Sequence, residues 1–153
     1  MLTASARATL ATIPRRAIAA ALDEGRSVAA PPLDPGDPGA AFVSIHVDGA
    51  LRGCIGTLER SRGLAETVAS CAVSAALRDP RFPPMTRAEL DRAAIEISVL
   101  GEFQEITPAD PEAIEIGRHG LYVEHDGHGG LLLPQVATEW KWDAAAFLSQ
   151  VCG

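Results

Sequence analysis

The spacing of apolar residues predicts several helices along this chain. Between residues 4 and 24 the apolar positions recur every three or four residues, which predicts a long helix. Pro14 lies inside this segment and is expected to kink or split the helix, because proline lacks the N–H that an interior position donates. Similar spacing predicts helices over residues 63–77 and 144–151, and a capping-box sequence that begins at Thr86 predicts a short one. Three to four helices are therefore expected.

Alternation of apolar and polar residues predicts the strands. The clearest pair is 42–47 and 50–58, because the Asp48-Gly49 sequence between them is a strong hairpin signal. Three further strands are expected, over residues 95–100, 121–124 and 130–133. Residues 28–40 are rich in proline and are expected to form an extended loop. Short hairpins mixed with separate helices indicate an α+β fold.

The composition favours a single domain with a substantial core. The chain has 153 residues, of which 47% are apolar, and it is interpreted as one domain over residues 1–153. No apolar run reaches the roughly 18 residues that a membrane span needs. Arginines interrupt the alanine-rich N-terminal segment, so no secretory signal is expected. Three cysteines without a CxxC pair favour free thiols and a cytoplasmic location.

The charge argues against broad binding to nucleic acid. The net charge is −7 and the sequence pI is about 5.0, whereas a phosphate-backbone surface needs clustered Lys and Arg. Nucleic acid therefore remains only a lesser alternative. It depends on a local set of five arginines: Arg52, Arg60, Arg62, Arg78 and Arg81.

Residues 51–56, Leu-Arg-Gly-Cys-Ile-Gly, combine several kinds of chemistry in one predicted strand. Arg52 and Cys54 are two positions apart and are expected on the same face. Cys54 is the candidate nucleophile, and the Arg52 guanidinium is the candidate contact for an anionic substrate group. Gly53 and Gly56 are candidate substrate contacts, because glycine in a strand often marks a close approach of ligand or backbone. The alternative is a small strand residue beside a surface arginine.

Two further residues are candidates for acid–base catalysis. His119 lies where a predicted strand begins and is expected to face a cleft, although a surface histidine without a role explains it equally. If the segment after Pro134 is helical, Glu139 shares a face with Gln135, which is a candidate substrate contact. An exposed helix face is the alternative. The histidine spacing H-x5-H-x2-H matches no standard zinc pattern, so no metal or other cofactor is predicted.

A pocket lining is the remaining candidate feature. Arg81 is expected to form its wall and Phe82 its apolar floor, unless Arg81 merely forms a local ion pair with Asp79. Glu96 is a further candidate contact, although alternation would also place it toward solvent. Three apolar residues of the same strand are expected to face inward: Ile95, Ile97 and Val99.

Residues 51–56 resemble the signature hexapeptide of the AMMECR domain family, whose bacterial and archaeal members are called AmmeMemoRadiSam system protein A. Later segments resemble the family's loop after the second helix, its central strand, its last hairpin and the turn and helix beyond. These segments are residues 79–84, 96–100, 120–123, 130–137, 142–143 and 147–148. The resemblance runs from the first helix to the end of the chain in the same order.

The resemblance implies a fold and a set of partners but no assigned reaction. It implies a two-lobed α+β domain with a cleft between the lobes, lined in part by the hexapeptide. It also implies a soluble intracellular protein that is associated with a Memo-type protein and a radical SAM enzyme. Family members usually continue beyond the helix around Phe147 into a further strand, so this chain is expected to lack that strand. An uncovered sheet edge would favour a homodimer.

Two functions of different classes follow, and the first is favoured slightly. In the first, Cys54 and Arg52 hold a small anionic ligand or substrate in the cleft, and whether a reaction follows is left open. In the second, the chain is a non-catalytic interaction module for the Memo-type and radical SAM partners, and the rigid proline-rich segments 31–38 and 80–84 form its contact surfaces.

Overall fold

The structure, a computed structural model, describes residues 2–25, 39–106 and 111–152. Most of the proline-rich loop predicted over residues 28–40, including the proposed contact segment 31–38, lies outside the described residues. The described residues form two compact units, divided between Glu102 and Phe103. The first unit holds a three-stranded sheet and three α-helices, and the second holds a hairpin and two α-helices.

Helix α1 spans Ala4–Glu24 as one unbroken helix. The Thr3 hydroxyl accepts a hydrogen bond from the N–H of Ala6 at 3.1 Å and caps its start, and Gly25 ends it with a φ of 62°. The prediction that Pro14 splits the helix is wrong. Pro14 is buried with the apolar face that packs against the rest of the unit, and this packing offsets the one hydrogen bond that proline removes.

The sheet of the first unit contains strands β1 (Ala40–Val47), β2 (Ala50–Thr57) and β3 (Ala93–Leu100). Its order is β2-β1-β3, and both neighbouring pairs are antiparallel. The two residues of the predicted β1–β2 turn, Asp48 and Gly49, have φ values of 52° and 81°. Positive φ at both positions is typical of a type I′ turn, so the hairpin prediction is confirmed.

A bulge in β2 determines which face its side chains occupy. His46 pairs with Leu51 and Ile45 pairs with Gly53, so Arg52 is the extra residue. Beyond the bulge, Ser44 pairs with Cys54. Ile45 belongs to the core, and alternation therefore places Ser44 and Cys54 on the opposite, outer face of the sheet.

Two more helices complete the first unit. Helix α2 spans Leu64–Leu77 and packs on β1, β2 and α1 through its buried apolar face. Helix α3 spans Arg87–Asp91 and begins with the predicted capping box at Thr86. The largest fully buried side chains of this unit come from helices and sheet alike: Ile18, Ile45, Leu90, Val43, Val68 and Pro14.

Strand β3 follows its predicted alternation only in part. Ile95 and Ile97 pack against the core as expected. Val99 pairs with the core residue Ala41 and so lies on the same face, but it is 39% exposed and therefore not buried as expected. This position is near the end of the strand, outside the core cluster of the described residues.

The second unit contains β4 (Leu121–His125), β5 (His128–Leu132), α4 (Pro134–Glu139) and α5 (Ala144–Cys152). A single 3₁₀ turn over Pro111–Ala113 precedes them, and a small core surrounds the fully buried Phe147. The described residues thus contain five α-helices, not the three or four expected, because α4 forms after Pro134. The α+β class is confirmed. None of the described helices is long and apolar enough to cross a membrane.

Candidate functional site

The Cys54 thiol lies on the outer face of the first unit's sheet. Its Sγ atom is 3.2 Å from Oγ of Ser44, the residue opposite it on β1. Cys54 is half-buried, and Ser44 is only 7% exposed. The thiol therefore belongs to a partly exposed residue and is contacted by a buried hydroxyl.

The main chain of Cys54 is held by a loop that runs beside the edge of β2. The Cys54 N–H donates to Oδ2 of Asp79 at 3.0 Å, and Nη2 of Arg81 donates to the Cys54 carbonyl at 3.4 Å. Since the N–H points away from β1, Cys54 and Ser44 form a non-hydrogen-bonded pair, the kind in which side chains lie closer together. This geometry accounts for the contact between Sγ and Oγ.

The carboxylate of Asp79 is the centre of this loop. Its side chain is 2% exposed, and it accepts bonds from Nε, Nη2 and the backbone N–H of Arg81 at 3.0, 2.8 and 3.1 Å. These bonds, with the one from the Cys54 N–H, hold the pKa of Asp79 well below its usual range despite its burial. The predicted local Asp79–Arg81 pair therefore exists, and it also fixes Cys54.

The Arg52 guanidinium binds within the chain. Nε donates to Oε2 of Glu89 at 2.6 Å, and Nη2 donates to Oε1 of Glu89 at 3.3 Å and to the Pro83 carbonyl at 2.7 Å. The bonds to Arg52, followed by those from Thr86, lower the pKa of Glu89 to about 2. The Arg52 guanidinium, which was expected to bind an anionic substrate group, is thus bound by Glu89 through Nε and Nη2. Its remaining nitrogen is Nη1.

That nitrogen is the buried polar side-chain atom without a partner in the described part of the chain. The Arg52 side chain is 12% exposed, so Nη1 is also largely removed from water. Its guanidinium carbon lies 5.7 Å from the centroid of the Phe82 ring, and that of Arg81 lies 5.5 Å from the same ring. The Phe82 ring therefore makes cation–π contacts with both guanidinium groups, and each guanidinium has one carboxylate partner.

The two candidate glycines are close to other parts of the same unit. A Cβ on Gly53 would lie 2.0 Å from the Ala75 carbonyl oxygen, so β2 and the backbone of α2 approach each other here. A Cβ on Gly56 would lie 2.2 Å from the ring of Phe42, the residue opposite on β1. Both close approaches are packing contacts, and ligand contact at either glycine stays a prediction.

Glu96 occupies the outer face of β3. It pairs with Ser44 on β1, so Cys54, Ser44 and Glu96 follow one another across the three strands. Glu96 is exposed, as alternation predicted. Its proposed contact with a substrate stays a prediction.

The remaining candidates belong to the second unit. His119 is half-buried, and its Nδ1 accepts a hydrogen bond from the Glu115 N–H at 3.0 Å, so a proton on this ring resides on Nε2. Gln135 and Glu139 both lie on α4, four residues apart, and therefore share a helix face as expected. Their roles with Cys54 in acid–base chemistry or substrate binding stay predictions.

Three of the five arginines proposed as a local nucleic-acid surface make contacts within the first unit. Arg52 and Arg81 bind Glu89 and Asp79, as described above. Arg60 donates to the carbonyls of Leu100 and Gly101 at the end of β3. Arg62 and Arg81 nevertheless stay 59% and 55% exposed, so contact of this set with phosphate groups stays a prediction.

Sequence reasoning missed Ser44 and Glu89 as parts of this site. Ser44 is small and sits in an apolar strand, and only the bulge at Arg52 places it opposite Cys54. Glu89 was identified as a capping residue, and its second role depends on Arg52, which is 37 residues away in sequence. The one sequence feature that indicates Ser44 is the alternation over residues 42–47, which places Ser44 on the face of the strand opposite Val43 and Ile45.

Comparison with known proteins decides the family. The family model described as AMMECR1 matches residues 8–153, nearly the whole chain. The chain belongs to the AMMECR1 family. This membership agrees with the α+β fold.

Several archaeal proteins are similar to this AMMECR1-family chain. A protein of Aeropyrum pernix is 44% identical over 153 residues, which cover 94% of this chain and 65% of that protein. A protein of Methanocella arvoryzae is 46% identical over 121 residues, which cover 75% of this chain and 61% of that protein. This chain therefore spans somewhat less than two thirds of these relatives.

A solved structure shows the same fold. The crystal structure of an uncharacterized protein from Pyrococcus horikoshii matches with a TM-score of 0.90 at 36% sequence identity. The match covers 99% of this chain and 80% of that one. The arrangement of helices and antiparallel strands is therefore that of an experimentally observed family member.

Proposed function

We propose that this AMMECR1-family chain binds a small anionic ligand or substrate against the Cys54 thiol, on the outer face of the β2-β1-β3 sheet. One observation carries the proposal: Nη1 of Arg52 is buried without an acceptor in the described part of the chain. A buried donor that lacks a partner is costly. An oxygen of a bound anion would satisfy it, and Arg52 is two residues from Cys54.

Arg81 supplies the exposed cation of the proposed site. Its side chain is 55% exposed, and its guanidinium contacts both the Cys54 carbonyl and the ring of Phe82. Asp79 holds two of its nitrogens, Nε and Nη2, and fixes its orientation. A cation that is fixed beside a thiol attracts an anionic reactant to that thiol.

Alkylation with two reagents of different charge tests the role of Arg81. Iodoacetate is an anion and iodoacetamide is neutral, and both react with the thiolate, so the ratio of their rates reports local charge. In Arg81→Gln this ratio at Cys54 is expected to fall about threefold or more, because a nearby positive charge is removed. Peptide mass spectrometry measures the rates at all three cysteines in one sample.

The control for this test removes an equal charge elsewhere. Arg62 is 59% exposed and forms an ion pair with Glu66 on the surface. In Arg62→Gln the ratio at Cys54 is expected to stay near its original value. Equal ratios in the two variants would contradict the proposal. Cys71, which is 6% exposed in the core, verifies that each variant remains folded.

We also propose that the chain acts in the cytoplasm with Memo-type and radical SAM proteins, as the family resemblance implies. A second role, as an interaction module for these partners, is favoured by the loop over residues 79–84. This loop is fixed at Asp79 and Pro83 by hydrogen bonds, and Arg81, Pro83 and Pro84 are exposed.

Binding assays with purified partners separate the two roles. If the chain is an interaction module, Arg81→Gln is expected to weaken binding to a Memo-type protein about threefold or more, and Cys54→Ser is expected to leave it unchanged. Calorimetry at micromolar concentrations measures both variants. An absence of binding by the original chain to both partner classes would remove this part of the proposal.

A further inference from the structure

We propose that Ser44 is the positioning residue of the Cys54 thiol and donates a hydrogen bond to its sulfur when the thiol is ionised. The inference rests on the proposed function, in which Cys54 contacts the ligand, and adds a residue that the hexapeptide does not contain. The observation behind it is the 3.2 Å contact between Ser44 Oγ and Cys54 Sγ.

The environment of Ser44 makes this contact specific. Ser44 is 7% exposed, so its hydroxyl has little access to water. Its side-chain contact in the described residues is with the Cys54 sulfur. A hydroxyl can rotate to donate or accept, and opposite a thiolate only donation is favourable. A donated hydrogen bond stabilises the anion, so Ser44 favours the reactive form of the thiol.

The pairing of Ser44 with Cys54 depends on the bulge. If β2 continued the register of its turn, in which Val47 pairs with Ala50, then Val43 would face Cys54. Val43 is fully buried in the core, so the thiol would be buried with it. The extra residue, Arg52, moves the register by one and turns the thiol to the outer face.

Two contacts hold the bulged register in place. Arg52 is bound by Glu89 and the Pro83 carbonyl. Gly53 lies under the Ala75 carbonyl, where a Cβ would be 2.0 Å away. A shift of β2 by one residue would bring a residue with a side chain into that position. The register that joins Ser44 to Cys54 is therefore the one that this packing allows.

A matched pair of variants at Ser44 isolates the hydroxyl. Threonine and valine have nearly the same shape and differ by a hydroxyl in place of a methyl group, and both suit a strand. Cys54 in Ser44→Thr is expected to react with iodoacetamide about fivefold or more faster than in Ser44→Val, the order expected of one hydrogen bond to an anion. Cys54 in Ser44→Ala is also expected to react slowly with iodoacetamide, because alanine has no hydroxyl.

Internal references keep the test interpretable. Cys152 is exposed and reports reagent activity, whereas Cys71 is buried and reports unfolding. Ser98→Ala is the strand control, because Ser98 pairs with Phe42 and not with Cys54. Equal Cys54 rates in the Thr and Val variants would overturn the inference, even if both are less stable than the original chain.

The outcomes also separate this inference from the proposed function. If the Thr and Val variants differ while Arg81→Gln leaves the iodoacetate preference unchanged, Ser44 positions the thiol and the anionic-ligand proposal fails. If Arg81→Gln lowers the preference while the Thr and Val variants react equally, the ligand proposal stands and Ser44 has no positioning role.

Discussion

Replacing Gly53 with alanine is expected to destabilise the first unit by about 2–3 kcal/mol, and overpacking of this kind occasionally costs more. The added Cβ would lie 2.0 Å from the Ala75 carbonyl oxygen and 2.9 Å from its carbonyl carbon. Both are backbone atoms of a helix, which cannot rotate away as the end of a flexible side chain can. Either β2 or α2 must move, and the Cys54 segment moves with β2.

Urea-dependent alkylation of Cys71 measures this loss of stability. Cys71 lies in the core of the first unit, and burial raises the pKa of its thiol, so the folded unit protects it. Intrinsic fluorescence is unsuitable, since Trp140 and Trp142 both lie in the second unit. In Gly53→Ala, Cys71 is expected to lose its protection from alkylation at a clearly lower urea concentration than in the original chain.

Gly101→Ala is the matched control for this experiment. No atom of the described residues lies within 4 Å of a Cβ built on Gly101, and its φ lies outside the left-handed region. Its urea midpoint is expected to stay close to that of the original chain. A Gly53→Ala variant as stable as Gly101→Ala would show that β2 and α2 are not packed as described.

Replacing Asp79 with asparagine is expected to cost about 2–4 kcal/mol in the free energy of unfolding. The buried carboxylate accepts four hydrogen bonds, one from Cys54 and three from Arg81. The side-chain NH2 group of asparagine would place N–H donors against some of the N–H groups that now donate to the carboxylate. The Arg81 guanidinium would also lose its charge partner, although its exposure lets water compensate in part.

A surface aspartate provides the comparison for Asp79. The Asp91 side chain is 68% exposed, and its Oδ1 lies 3.6 Å from Nε of Arg87, one turn away on α3. Asp91→Asn is expected to change stability by no more than about 0.5 kcal/mol, as is usual for exposed pairs. The same Cys71 protection assay measures both variants. Comparable stabilities would mean that the Asp79 network contributes little to the fold.

Elements with strong local signals could be predicted from the sequence. Asp48-Gly49 tolerates the positive φ of a tight turn, Thr86 and Glu89 satisfy each other's backbone groups, and Gly25 accepts a left-handed conformation. Each signal depends on residues a few positions apart. The exception is Pro14, where packing of the whole helix outweighed the local preference.

The site was less predictable because its contacts are not local. Cys54, Arg52 and Arg81 were identified as candidates, but the role of Arg52 changed once Glu89 was found to bind it. The alternation of apolar and polar residues in β2 does not reveal the bulge at Arg52. The bulge alone decides that Cys54 lies opposite Ser44. Register is a property of two strands together, so a single strand's sequence does not specify it.

The loop beside β2 also limits how copies of this protein can aggregate. Fibril-like growth through a sheet needs two open edges, so that each added chain offers a new one to the next. At Cys54, near the centre of β2, both outward backbone groups are already bound, by Asp79 and Arg81. Growth through the β2 edge of this sheet would therefore first require the Asp79 network to break.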